Sequence, residues 1–501
     1  MATDAEARAA GFLTPSNQDM ISAGDDAIRH NARTTLDLLA AERALSMIDG
    51  GIATAAAGPG GTADMLTANG TWWTVWGATQ AAALELPVAA PGIVEAFTFG
   101  SGTPPVTVQR FTTAATTPSE IWVRNRQTDG WTAWARIGDG RLRTVPYALS
   151  AGNSGGTERA ASRSFRLPFR LPATPLRFRV HIRNMNPRYG TLYAGALSFT
   201  GLGIQRHAGV VTLANEGQLA SEPIALAGAF TTPANGAEWV SDWSAQPIST
   251  GEEWLLTGGY TCAEGQENFA GVSGGWITDS AADWNKPAPA GLRLTGAAPL
   301  FIWLELELPE SVPVVAYYGD SLTVGLSSRL PVYDSYAYAH ARQNGHVPVL
   351  YADSGSTMLA WMDYAAAPWN RYGTTQPRVD AVVFSMGSND IFGGADVPTL
   401  KQRFEQVRRR FAARMSQNII ATTILPRHDS SDPAEAVRKE WNEHLTTALP
   451  GRVLAAPDTA AEVTAPDGAT LDKRFSATPT DIHLTAAGYA RFAAAIPPLH
   501  R

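Results

Sequence analysis

The run Val312-Pro313-Val314-Val315-Ala316-Tyr317-Tyr318 ends in Gly319-Asp320-Ser321-Leu322, and no other stretch of the chain constrains its fold as much. An unbroken apolar run of strand length is what a strand covered on both faces requires. A serine directly after it stands at the carboxyl edge of a sheet, where open α/β sheets bind ligands. The glycine before it permits a sharp backbone turn that exposes the hydroxyl. The surrounding segments agree. Val347–Tyr351 and Asp380–Met386 read as further buried strands, Asn418–Leu425 as a fourth and Arg452–Ala456 as a short fifth. Between them Tyr333–Asn344, Leu400–Met415 and Ala434–Leu449 have helical spacing, and Gly345 ends the first of these. Leu400, Phe404, Val407, Phe411 and Met415 form one apolar face, so Arg408-Arg409-Arg410 reads as the solvated side of that helix rather than a nucleic-acid site. Strands alternating with helices predict a doubly wound, parallel-sheet α/β domain over 309–501.

Three more blocks follow in order: Asp353-Ser354-Gly355-Ser356, Gly387-Ser388-Asn389-Asp390 and Asp481-Ile482-His483-Leu484. A serine hydroxyl is a poor nucleophile at neutral pH, so an imidazole must take its proton during attack on an acyl carbon and return it to the leaving alcohol. The charge that builds on the carbonyl oxygen needs pre-aimed donors. A glycine N–H can approach closely and an asparagine amide donates without a charge. Singly, each block has a plainer reading: Ser321 as a helix cap, Asn389-Asp390 as a turn, His483 as the entry to a helix. Their joint order favours chemistry.

These blocks resemble the SGNH, or GDSL-type, hydrolases, serine esterases and carbohydrate deacetylases, over Val312 to about Arg501. The resemblance implies Ser321 as nucleophile and His483 as base. It implies an oxyanion hole from the N–H groups of Ser321 and Gly355 and the amide of Asn389, with neither cofactor nor metal. In one place the sequence departs from the pattern. The acid expected three residues before the histidine is Thr480, and the aspartate is Asp481, two residues before His483. Asp481 as triad acid and a Ser-His dyad oriented by a backbone carbonyl both stay open.

The rest of the chain has another character. Its 501 residues are enough for about three or four domains. A net charge of −7 with 17% charged residues argues against a nucleic-acid-binding surface. No apolar run approaches the roughly 20 residues that span a membrane, and Met1–Glu6 lacks the features of a signal peptide. The single Cys262 forms no internal disulfide and reads as a small packed residue. Residues 1–61 are expected to hold an attachment helix, Thr34–Leu45, and a Gly/Ala-rich linker, and they resemble the first segment of bacteriophage tail-fibre and minor tail proteins.

Over 62–140 the β-rich runs Trp72–Gly77, Gly92–Phe99, Val106–Phe111 and Ile121–Arg126 close with Gly130-Trp131-Thr132-Ala133-Trp134. They resemble the knob domain of pyocin and phage tail fibres. The tryptophans read either as the core of a small β domain or as a sugar-stacking surface. After an expected linker at 141–163, period-two patterns such as Arg177-Phe178-Arg179-Val180-His181-Ile182-Arg183 predict a β-sandwich over 164–308. It is expected either to bind carbohydrate or to pack on the catalytic domain. The hinge Pro309-Glu310-Ser311 is too short for a free linker.

Together these resemblances imply a tail appendage of a virion that acts at the host surface and removes O-acetyl or other short acyl groups from a bacterial surface glycan. Its implied partners are that polysaccharide, other tail proteins through the N-terminus, and two further copies in a homotrimer, though no long heptad repeat demands the last. Neither nucleic acid nor membrane insertion is expected. Two other readings stay open: a receptor-binding protein that keeps the hydrolase fold only for recognition, and a free bacterial esterase or lipase.

Overall fold

The computed structural model describes residues 71–75, 81, 86, 92–99, 106–113, 121–127, 130–131 and 135–136, and then 142–499 apart from 153–156, 160, 210–215, 364–366, 374–376, 428–430, 450–452, 469 and 477–481. The expected attachment helix and linker, Trp134 and Asp481 lie outside the described residues. The chain divides into two compact units, residues 1–140 and 141–501.

The first unit holds β1 (Thr71–Val75), β2 (Gly92–Phe99), β3 (Val106–Thr113), β4 (Ile121–Gln127), β5 (Gly130–Trp131) and β6 (Ala135–Arg136). These form one antiparallel sheet in the order β1-β2-β3-β4-β5, with β6 also on β4. Val94, Ala96 and Phe111 are buried, and the guanidinium of the buried Arg124 donates to Gln109 at 2.9 Å. The strands coincide with the β-rich runs of the sequence.

The second unit begins with β7 (Leu142–Ala148), β8 (Thr157–Glu158), β9 (Ser162–Phe169), β10 (Arg177–Arg183), β11 (Met185–Asn186), β12 (Thr191–Leu192), β13 (Ser198–Arg206), β14 (Ile224–Ala227), β15 (Phe230–Thr231) and β16 (Trp239–Val240). It continues with β17 (Trp254–Thr261), β18 (Asn268–Thr278), β19 (Arg293–Pro299) and β20 (Phe301–Pro309). Most of them lie in two antiparallel sheets, one ordered β16-β10-β20-β7 and the other β14-β13-β17-β9-β18-β19. The period-two pattern of β10 has the expected result. Phe178, Val180 and Ile182 are fully buried, while Arg177, Arg179 and His181 stand opposite Glu307, Glu305 and Trp303 of β20. Arg177 pairs with Glu307 at 2.7 Å, and His181 stacks on Trp303 with centroids 4.8 Å apart, cross-strand pairs of the kind that fix register. Cys262 accepts a hydrogen bond from Asn268 at 3.3 Å.

The stretch expected as a linker, 141–163, is instead partly structural. β7 pairs with β20 along its whole length and packs on the following domain. Tyr147 meets Tyr338 edge-on at 5.0 Å, Tyr338 donates to the Ala148 carbonyl at 2.5 Å, and Arg143 pairs with Asp380 at 2.8 Å. The polar Gly/Ser/Asn content of 150–157 hides this strand from a reading of composition. The hinge 309–311 is a closed turn, with Val312 N–H donating to the Pro309 carbonyl at 3.0 Å.

The last domain has β21 (Val314–Gly319), β22 (Val347–Ala352), β23 (Ala381–Ser385) and β24 (Ile419–Ala421), all parallel, in the order β22-β21-β23-β24. Every residue of β21 is buried, as its apolar run requires. The helices are α1 (Ser321–Val324), α2 (Tyr336–Asn344), α3 (Ser388–Phe392), α4 (Val397–Arg414), α5 (Asp432–Ala448) and α6 (Ala486–Ala495). Of the expected fifth strand, the described residues show only bridges, at Val453 and at Ala455, the latter parallel to Ile420, and Pro457, two residues further on, supplies no ladder donor. On α4, Arg408 and Arg409 pair with Glu405 on the outer side, while Arg410 turns in to the Trp361 carbonyl at 3.2 Å. Chain order reverses about β21, so the loops after β21, β22 and β23 share the carboxyl edge where such sheets bind ligands.

Candidate active site

Ser321 is the first residue of α1, directly after β21. Asp320 caps that helix, its carboxylate accepting from Leu322 N–H at 3.0 Å. Gly319 has no positive φ, so the expected sharp turn is not what demands glycine there. A side chain at 319 would lie 1.7 Å from Thr323 Oγ1 and 3.0 Å from the Ser385 carbonyl, so close packing excludes it.

His483 comes from the far end of the domain. It lies two residues before Thr485, whose hydroxyl caps α6 by accepting from Gly488 N–H at 3.3 Å. Helix α6 is moored on α2 and on the turn after α1: Phe492 packs on Tyr336 at 4.8 Å, and Tyr489 donates to the Leu326 carbonyl at 2.8 Å. The result puts His483 Nε2 2.9 Å from Ser321 Oγ, both residues half-buried. That is the distance over which an imidazole takes a hydroxyl proton. Asp481 lies outside the described residues.

Gly355 follows β22 in a loop tied down from two sides. Its φ is +74°, a region open to glycine, and an added Cβ would stand 2.8 Å from Arg188 Nη1. From the β23 side, Asn389 donates through Nδ2 to the Ser356 carbonyl at 2.9 Å and to Asp320 at 3.3 Å. Asp390 accepts from Met358 N–H at 2.9 Å and from Arg403 at 2.7 Å. From the two-sheet region, Arg188 donates to the carbonyls of Ser354 and Gly355, the latter at 2.7 Å. Gly152 N–H donates to Asp353 at 3.0 Å, and Asp353 also pairs with the buried Arg371.

Burial raises the Asp320 carboxyl to about 7, and Asp390 adds to the rise; Leu322 N–H and the Arg427 guanidinium oppose it. Burial likewise holds Asp390 above the ordinary carboxylate range. Among the described residues no group of three His, Cys, Asp or Glu side chains is placed to hold a metal ion. No described helix is long and apolar enough to cross a membrane.

The structure therefore joins Ser321 to His483 directly and Asn389 to both Asp320 and the Gly355 loop. Sequence reasoning missed Arg188 and Gly152. Arg188 lies 166 residues before the carbonyl it holds, and no local pattern marks it.

No curated protein sequence matches the chain. Among solved structures, a member of the lipolytic G-D-S-L family from Veillonella parvula is 17% identical, covers 36% of this chain and 95% of its own, and has a TM-score of 0.29. A family two carbohydrate esterase from Cellvibrio japonicus is 13% identical over 71% of this chain and 96% of its own, with a TM-score of 0.29. Another, from Clostridium thermocellum in complex with cellohexaose, is 14% identical over 70% and 96%, with a TM-score of 0.30. Residues 317–491 match the GDSL-like Lipase/Acylhydrolase family, and that stretch contains Ser321, Gly355, Asn389 and His483. The C-terminal part of this chain is thus a GDSL-type lipase/acylhydrolase domain.

Proposed function

We propose that the protein is a serine esterase that removes O-acetyl or similar short acyl groups from a bacterial surface glycan, carried on a phage-type tail appendage. The observation that carries the esterase reading is the 2.9 Å approach of His483 Nε2 to Ser321 Oγ. Ser321 attacks the acyl carbon as His483 takes its proton. The imidazolium then protonates the leaving alcohol, and His483 activates the water that frees the acid. The oxyanion rests on the N–H groups of Ser321 and Gly355 and on the Asn389 amide. Of the two bonds that Asn389 makes at rest, the 3.3 Å one to Asp320 is the longer, and it is the one the oxyanion replaces. Asp481, or a backbone carbonyl near it, orients the imidazole.

The glycan, the tail location, the tail-protein partners and the trimer are supported by the fibre-like and knob-like segments of the N-terminal sequence. The test is hydrolysis of p-nitrophenyl acetate against longer acyl esters, followed by acetate release from acetylated surface polysaccharide, with Ser321→Ala in parallel. Acetate turnover that disappears in Ser321→Ala is the expected result. Binding of the polysaccharide with no turnover, unchanged by Ser321→Ala, would favour a recognition role instead.

A further inference from the structure

The contacts that Arg188 makes are specific in a way that bears on catalysis. A trans peptide is planar, and its C=O and N–H point in opposite directions. The carbonyl of Ser354 and the N–H of Gly355 belong to one such plane. A donor that fixes Ser354 O on one side therefore fixes the direction of Gly355 N–H on the other. Arg188 Nη1 donates to Ser354 O, and Nη2 donates to Gly355 O at 2.7 Å, so one rigid guanidinium pins two successive peptide planes. The positive φ of Gly355 lets both carbonyls turn toward the same side.

The guanidinium is itself held. Arg188 sits between β11 and β12, its N–H donates to Asn186 Oδ1 at 3.0 Å, and Gly190 N–H closes the turn on the Asn186 carbonyl at 2.9 Å. Its guanidinium lies over the Tyr189 ring at 4.8 Å. A second tie from the same region, Ser354 N–H to the Gly152 carbonyl at 3.2 Å, fixes the plane before.

We propose that the two-sheet region completes the acyl-transfer site: Arg188 is a positioning residue that aims Gly355 N–H at the oxyanion. This rests on the esterase reading and extends it. A cation on the Ser354 carbonyl also polarises the peptide and strengthens its N–H as a donor.

The experiment compares wild type, Arg188→Ala and Arg188→Lys by steady-state kinetics on p-nitrophenyl acetate, thermal melting, and hydrogen exchange of the segment containing Gly355. Removing one oxyanion donor typically costs about 100-fold or more in kcat, and misaiming one is expected to cost about 10- to 100-fold. The expected result for Arg188→Ala is that loss in kcat with KM within about twofold, faster exchange confined to the Gly355 segment, and an unchanged melting temperature. Arg188→Lys, which offers no fork, should recover little, and free guanidinium ion should partly restore Arg188→Ala. Should Arg188→Ala not fold, the kinetics and exchange of Arg188→Lys decide. An active wild type with equal kcat in the variants, or unchanged exchange at Gly355, would overturn this proposal alone. A wild type with no ester turnover would overturn the esterase reading and this proposal with it.

Discussion

His483 Nε2 approaches Ser321 Oγ to 2.9 Å although 162 residues separate them in sequence. The pair should label with a fluorophosphonate at Ser321. Ser321→Ala and His483→Ala are each expected to lower kcat by at least about 1,000-fold with unchanged melting. Mass spectrometry of the labelled peptide and kinetics on p-nitrophenyl acetate check this, and labelling that survives in Ser321→Ala would refute it.

Asn389 is expected to contribute chiefly to the transition state. Asn389→Ala should cost on the order of 3 kcal/mol of barrier, about 100-fold or more in kcat, with little change in KM. Because Asn389 also donates to the Ser356 carbonyl, Asn389→Ser should recover less than a tenth of the activity.

Asp320 supplies a pH dependence. Its folded-state carboxyl is raised from 3.8 to about 7, so between those values the folded protein binds more protons than the unfolded chain. The stability this contributes is fully present below about 3.8 and is lost as pH rises through about 7, on the order of 4 kcal/mol in all. Above about pH 7 the carboxylate also competes with the oxyanion for the Asn389 amide. Asp320→Asn, measured by urea unfolding and by kcat from pH 4 to 9, should flatten both trends; an unchanged pH profile would remove Asp320 from the account.

A buried Tyr317 hydroxyl lies 2.6 Å from both His340 Nδ1 and His346 Nε2. One hydroxyl proton serves two imidazoles, so one ring accepts from Tyr317 while the other donates to it, and both are neutral. Burial lowers His340 to about 4 and His346 well below its ordinary value. Here the unfolded chain binds the extra protons. Stability is therefore complete above about 6.5 and falls as pH drops toward about 4, by on the order of 3 kcal/mol for His340 alone. Asp320 acts in the opposite sense over this range, so the His340 contribution is read as a difference: the unfolding midpoint of His340→Gln relative to wild type should rise as pH drops from 7 to 4.5.

Much of this was readable in the sequence, for physical reasons that also mark where reading stopped. β21, β22 and β23 are unbroken apolar runs because they are covered on both faces, and the helices α2, α4 and α5 begin or end within about three residues of where spacing places them. Ser321 and Asn389 follow β21 and β23, and His483 precedes α6, so local pattern locates them. What pattern could not reveal is pairing between distant segments. β7 is a strand because β20 offers it a partner, and Arg188 matters because a loop 166 residues later presents its carbonyls. Gly319 reads in the sequence as a turn glycine, whereas what excludes a side chain there is the neighbouring Thr323.

The bond between Gly152 and Asp353 restricts how such a chain can evolve. Modular proteins are often reassembled like beads on a string, each unit exchanged without disturbing the next. Here the acylhydrolase unit and its β-rich neighbour share loop anchors, so recombination at residue 310 would deliver a hydrolase missing part of its own scaffold. New specificity in this lineage is therefore expected to enter by substitution along the shared seam, or by exchange of the first 140 residues, rather than by replacing the two-sheet region.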